Sequence, residues 1–229
     1  MRFQMKKTLL AIALATLGVS CGANADAVNK PIPAPEVDTP AAEPNGPQVA
    51  VLAGGCFWGL QGMFEHVQGV TRVVAGYSGG EKSTAHYELV GTERTGHAES
   101  VQITFDPKKI SYGQLLRLFF SVAHDPTELD RQGPDRGPSY RSEIFFASPS
   151  QERVARSYVE QLTKAKVFAS PIVTKIEPLK GFYAAEDYHQ DYLIHNPHQP
   201  YIVYNDLPKI EALNQVYQPI HRATPVALL

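Results

Sequence analysis

The sequence has few reactive or distinctive residues. Two cysteines, three methionines and one tryptophan occur among 229 residues. Two cysteines are too few for a disulfide framework, so the fold has to be held by an ordinary apolar core. No basic run interrupts the body of the chain, and the net charge is −2. Nucleic acid and anionic membrane surfaces are excluded as main partners on that basis. No apolar run is long enough to cross a bilayer, which takes about 20 residues; the longest, Leu9 to Val19, falls short. Internal repeats are absent. What remains is the balance of a globular protein, 43% apolar and 19% charged, long enough for one well-packed domain with appendages.

The chain divides into three parts. Residues 1–25 read as a secretory signal, with Arg2, Lys6 and Lys7 ahead of the apolar run and Ala23-Asn24-Ala25 as a small-residue cleavage site. An alternative is an acylation site at Cys21, although Gly18 stands where such boxes carry Leu. The expected location is therefore periplasmic or secreted, or an envelope lipoprotein anchored through Cys21. Residues 26–47, rich in Pro, Ala and acidic side chains, are expected to form an extended or disordered tether. Residues 48–229 are expected to hold the globular domain.

Within that domain, Gly54-Gly55-Cys56-Phe57-Trp58-Gly59 stands out. A short strand precedes it, and Phe57, Leu60, Phe64 and Val67 follow at helical spacing. Cys56 therefore sits at a strand-to-helix turn, where the helix dipole favours thiolate over thiol. Residues 98–105 alternate, with Val101, Ile103 and Phe105 on one face; Glu99 shares their parity, so its carboxyl points to the apolar side. Desolvation there raises its pKa and suits it to general acid work. Strands are further expected at 70–77, 142–146 and 172–176. Helices are expected at 111–122, opened by a Ser111–Gln114 capping box, after a second box at Ser148–Gln151, and at 184–195. Residues 125–139 form a Pro/Gly-rich loop, and the segment after His195 is broken by proline. The pattern suits a mixed β-sheet with helices packed on it, α/β or α+β. His97-Ala98-Glu99 lacks the Pro-Cys-x-x-Cys that a zinc deaminase needs, and His195 and His198 read as solvated loop residues, so no metal is expected.

Several motifs occur in a fixed order. They are Gly55-Cys56-Phe57-Trp58-Gly59, Gly76-Tyr77-Ser78-Gly79-Gly80, Thr95-Gly96-His97-Ala98-Glu99, His124-Asp125-Pro126-Thr127, Arg131-Gln132-Gly133 with Asp135, Tyr140-Arg141-Ser142, and residues 186–193, Glu-Asp-Tyr-His-Gln-Asp-Tyr-Leu. Together they resemble the methionine sulfoxide reductase A family from about Val49 to about His221. The resemblance implies a two-layer sandwich with a ferredoxin-like core and thiol-dependent reduction of the S epimer of methionine sulfoxide. It implies Cys56 as nucleophile, Glu99 as the acid that protonates the oxygen, and Tyr87 and Tyr140 as its hydrogen-bond donors, with Asp135 nearby. Phe57 and Trp58 would line the methyl pocket. No cofactor is implied beyond an external thiol, a thioredoxin-like protein or glutathione, and a monomer is expected. The chain departs from the pattern after Pro197: many relatives carry resolving cysteines there, whereas this segment has none and contains Tyr201-Ile202-Val203-Tyr204. Phe120 stands where Trp is common, and Pro138-Ser139 replaces the usual residues before Tyr140. Two other readings stay open, a cysteine hydrolase using His124 or His189, and an envelope binding module in which Cys56 is structural.

Overall fold

A computed structural model describes residues 31–39 and 46–228. In chain order these form β1 (Gln48–Ala53), α1 (Phe57–Glu65), β2 (Val70–Ser78), α2 (Tyr87–Val90), β3 (Ala98–Phe105) and α3 (Tyr112–Leu118). A small hairpin, β4 (Arg131–Gln132) and β5 (Asp135–Arg136), precedes β6 (Glu143–Phe146) and α4 (Pro149–Lys164). β7 (Lys175–Pro178), β8 (Phe182–Ala184), α5 (Tyr192–His195) and α6 (Leu207–Val216) complete the domain.

The main sheet has the order β7-β6-β1-β3-β2-β8. All its pairings are antiparallel except β6 with β7, so the sheet is mixed. The central four strands, β6-β1-β3-β2, with α1 between β1 and β2 and α3 between β3 and β6 in sequence, form the ferredoxin-like core of an α+β fold. Alternation decides what each face does. Ala50 and Leu52 of β1 and Val101, Ile103 and Phe105 of β3 enter the large core with Phe57, Leu60, Met63 and Phe64 of α1. Val51, Ala53, Ala98 and Phe145 form a smaller cluster on the other face. Each large side chain removed from water stabilises the fold by roughly 1.5–3 kcal/mol, and the four of α1 are buried to 1% exposure or less.

The Ser111 capping box forms as read: its side chain accepts from the Gln114 amide, and the Gln114 side chain accepts from the Ser111 amide. At Ser148 the box is incomplete. Ser148 Oγ accepts from the Gln151 amide, but Gln151 Oε1 reaches one residue further back, to the Ala147 amide, and its Nε2 donates to Val49 O. Other elements differ more. The strand expected at 172–176 runs at Lys175–Pro178, set by its parallel register with β6. Residues 184–195 are a strand end, a 3₁₀ turn at Asp187–His189 and the short α5, not one helix. The proline-broken region contains α6: Pro208 stands in its first turn, where a proline costs no hydrogen bond.

The segment expected as a tether is docked over residues 31–38. Ile32 is 5% exposed and joins the core. Its carbonyl accepts from Arg117 Nε at 2.7 Å, Pro33 O accepts from Tyr158 Oη at 2.7 Å, and Ala34 O accepts from Gln161 Nε2 at 2.8 Å. Asp38 ends the strap on the N-terminus of α3, accepting from the Gly113 amide at 2.8 Å and from Ser111 Oγ. A carboxylate there is favoured by the helix dipole. Pro31, Pro33 and Pro35 hold this stretch extended, with its carbonyls free for side chains of α3 and α4. Composition alone cannot distinguish such a strap from a linker. The signal and Cys21 lie outside the described residues.

Candidate active site

β1 ends in Ala53, and the chain turns through Gly54 and Gly55 to place Cys56 at the N-cap of α1. Gly55 takes φ +94°, and a Cβ there would lie 2.7 Å from Gln132 Cβ, so this turn requires glycine on both grounds. Beside Cys56, a cavity of about 170 Å³ is lined by Cys56, Phe57, Trp58, Tyr87, Glu99, Asp135, Tyr140 and Tyr201. All seven site residues expected from sequence meet there, drawn from α1, α2, β3, the β4–β5 hairpin and the turn after it. Tyr201 is the one the sequence reading left without a role.

Glu99 occupies the apolar side of β3 at 3% exposure and accepts the Phe57 amide at 3.0 Å. Burial pushes its carboxyl from the ordinary 4.5 up to about 8, with the Phe57 amide acting against the shift and Asp135 and Glu93 adding to it. A hydrogen bond with the Cys56 thiol also favours its carboxylate form. The carboxyl therefore carries a proton at neutral pH.

Cys56 overturns one expectation. Burial raises its thiol well above the ordinary value, and Glu99 and Asp206 raise it further; the Trp58 amide at the helix start and Lys209 oppose this. The helix N-terminus does favour the thiolate, but desolvation at 8% exposure is the larger effect. The resting thiol is protonated, with a protonated carboxyl as its neighbour.

The walls are built from aromatic side chains. Trp58 stacks on Tyr192 with centroids 3.8 Å apart, and its Nε1 donates to His189 Nδ1 at 3.1 Å. Tyr201 meets Trp58 edge-on at 6.0 Å and donates to Asp135 Oδ2. Burial holds the hydroxyls of Tyr87, Tyr140 and Tyr201 above their ordinary value, so each is a neutral donor. Burial also raises Asp135, against the Tyr201 hydrogen bond.

Neither histidine of the hydrolase reading serves Cys56. His124 is engaged with Phe119 O and Ser142 Oγ, at 2.9 and 2.7 Å, and burial lowers it to about 4. His189 is taken by Trp58. His97 accepts from the Gly80 amide and donates to Glu81 O, a structural role. His195 and His198 are exposed. Cys56 is the one free cysteine among the described residues.

Known proteins place this geometry in context. The family model for peptide methionine sulfoxide reductase matches residues 48–220. A peptide methionine sulfoxide reductase MsrA 2 of Mesorhizobium japonicum is 58% identical over 184 residues, covering 80% of this chain and 94% of the relative. The MsrA 2 of Synechocystis sp. is 49% identical over 191 residues, covering 82% and 89%. Among solved structures, reduced Mxr1 of Saccharomyces cerevisiae aligns with TM-score 0.63 at 36% identity, covering 69% of this chain and 90% of its own. Methionine sulfoxide reductase A of Corynebacterium diphtheriae aligns with TM-score 0.59 at 34% identity, covering 75% and 86%. With the fold, the cavity and these relatives in agreement, the chain belongs to the peptide methionine sulfoxide reductase family and is an oxidoreductase.

Proposed function

We propose that the chain reduces the S epimer of methionine sulfoxide, free or in proteins, with Cys56 as nucleophile and Glu99 as acid. The observation that carries this reading is the pairing in one cavity of a thiol with a carboxyl that burial holds protonated up to about pH 8. Sulfoxide oxygen leaves sulfur poorly unless it is protonated, so a thiol without an adjacent acid would be ineffective. The balance needs one proton. As the Cys56 sulfur attacks, Glu99 protonates the sulfoxide oxygen and takes up the proton of the thiol. The oxygen passes to the Cys56 sulfur as the S–O bond to methionine breaks, methionine leaves, and Cys56 holds the oxygen as sulfenic acid. Tyr87 and Tyr140 are donors to the same oxygen, Asp135 supports the polar wall, and Phe57 and Trp58 face the methyl group.

Among the described residues no second cysteine stands beside Cys56. The sulfenic acid is then reduced by an external dithiol, a thioredoxin-like protein in preference to glutathione, through a mixed disulfide and release of water. The N-terminal segment supports delivery to the periplasm or secretion, with acylation at Cys21 as the alternative, and the domain acts as a monomer in this reading.

The test is direct. The protein is incubated with dithiothreitol and each epimer of a blocked methionine sulfoxide in turn, and methionine is measured. Turnover of the S epimer alone is expected, with one dimedone adduct on Cys56 when reductant is withheld. Equal turnover of both epimers, or an unlabelled Cys56 after methionine has formed, overturns the reading.

A further inference from the structure

An ion pair one helical turn from Cys56 has no part in the steps above. The chain enters α6 through a π-helical turn, Ile202–Asp206, which turns Asp206 inward to 0% exposure. Lys209, three residues on, donates to Asp206 Oδ1 at 3.0 Å. Asp206 Oδ2 is buried with no partner among the described residues. Both side chains rest against Gly59: a Cβ there would run into Asp206 Oδ1 and lie 2.6 Å from Lys209 Nζ. Gly59 is three residues beyond Cys56, hence one turn along the same face of α1. The glycine leaves a notch in that face, and the charge pair fills it.

We infer that Asp206 and Lys209 are positioning residues for the nucleophile: Lys209 supplies the positive charge that offsets the surrounding carboxylates when Cys56 ionises, and Asp206 holds that charge in the notch. The inference rests on Cys56 being the nucleophile. The groups facing Cys56 are Glu99 from β3, Tyr87 from α2, Tyr140 from the turn after β5, and Tyr201, Asp206 and Lys209 from the C-terminal segment; Asp135 acts from the hairpin through Tyr201. Lys209 is the only cation in that set. Its charge favours the thiolate, that of Asp206 opposes it, and Lys209 also favours the ionised form of Asp135. A dedicated cation matters here because negative charge develops on the sulfur as its proton passes to Glu99, in a site whose other ionisable groups are acids. The unpartnered Oδ2 fits this account: Asp206 is placed to hold Lys209, and the rest of its hydrogen-bonding capacity goes unused.

The experiment reads ionisation of Cys56 without requiring sulfoxide reduction. Full-length protein is alkylated with iodoacetamide between pH 6 and pH 11.5, high enough to follow a raised thiol, and modification of the Cys56 peptide is followed by mass spectrometry. Asp206→Asn leaves Lys209 uncompensated, so the alkylation midpoint is expected to fall by about one pH unit, a tenfold gain in thiolate fraction. Lys209→Met is expected to raise it, Lys209→Arg to keep it near the parent value, and the double variant Asp206→Asn/Lys209→Met to return it close to parent. A pair that served only to hold the fold together would move both single variants in the same direction. That result, or an unchanged midpoint in folded Asp206→Asn protein, overturns the inference. Should Lys209→Met fail to fold with Asp206 left unpaired, the Lys209 effect is read from the double variant against Asp206→Asn, where no buried carboxylate remains. Loss of sulfoxide reduction with these midpoints intact would count against the assigned function and not against the charge pair.

Discussion

Glu99→Gln is expected to make the protein more stable while nearly abolishing its activity. The carboxyl lies at 3% exposure and holds its proton up to about pH 8, whereas an ordinary carboxyl releases it near 4.5. Between those values the folded state binds a proton that the unfolded chain has lost. Stability therefore falls as pH rises from about 4.5 through about 8, and above that the cost is constant. At about 1.4 kcal/mol for each pH unit, keeping the acid protonated costs the fold about 3 kcal/mol at pH 7. Glutamine has the same size, can still accept the Phe57 amide, and never titrates. Its advantage should thus be about 3 kcal/mol at pH 7, taken as an upper figure, and about 1 kcal/mol at pH 5. Urea unfolding of both proteins at pH 5, 6, 7 and 8 measures the gap directly. Single-turnover sulfoxide reduction should drop by roughly a hundredfold or more. A stability gap that stays flat from pH 5 to pH 8 would refute the raised carboxyl and, with it, the argument that Glu99 is poised as an acid.

Cys56→Ser should fold normally, reduce no sulfoxide and take no dimedone label; turnover in the folded variant would end its assignment as nucleophile. Trp58→Ala removes a wall stacked on Tyr192 and bonded to His189. It should raise KM for a blocked methionine sulfoxide about tenfold or more, given the roughly 1.5–3 kcal/mol that a buried large side chain contributes, and an unchanged KM would show that the methyl group sits elsewhere. Ile32→Ala should lower unfolding stability by about 2–4 kcal/mol with kcat/KM unaffected; a variant as stable as the parent would mean that the strap adds nothing to the core.

Much of the site was legible because short-range rules cover it. Strand parity placed Glu99 inward, and the Gly-Gly-Cys turn before an apolar helical spacing placed Cys56 at a helix start; both depend on a few adjacent residues. The thiol's ionisation was misread for the opposite reason. A sequence displays the helix end that stabilises a thiolate, but it does not display the burial of the sulfur or the carboxyl groups of Glu99 and Asp206 that act on it. The strap escaped notice because Pro, Ala and Glu look alike whether solvated or docked, and docking is decided by acceptors for Arg117, Tyr158 and Gln161 elsewhere in the chain.

The C-terminal segment is the most instructive miss. Pro200 and Pro208 suggested an interrupted chain, yet Pro208 stands in the first turn of α6, and a π-helical turn precedes it. That turn has no residue signature, but it brings Tyr201 to Asp135 and Trp58, and Asp206 to the notch at Gly59. In this chain the region after Pro197 holds no cysteine and supplies a hydroxyl donor, a buried carboxylate and a lysine near Cys56. Such a segment cannot regenerate Cys56 by forming a disulfide with it. What it can do is hold Asp135 through Tyr201 and place Lys209 where its charge favours the thiolate. On the proposed function, the absence of cysteine after Pro197 and the presence of the Asp206–Lys209 pair belong to one arrangement, in which recycling is left to an external thiol and the C-terminal segment tunes the reductive step.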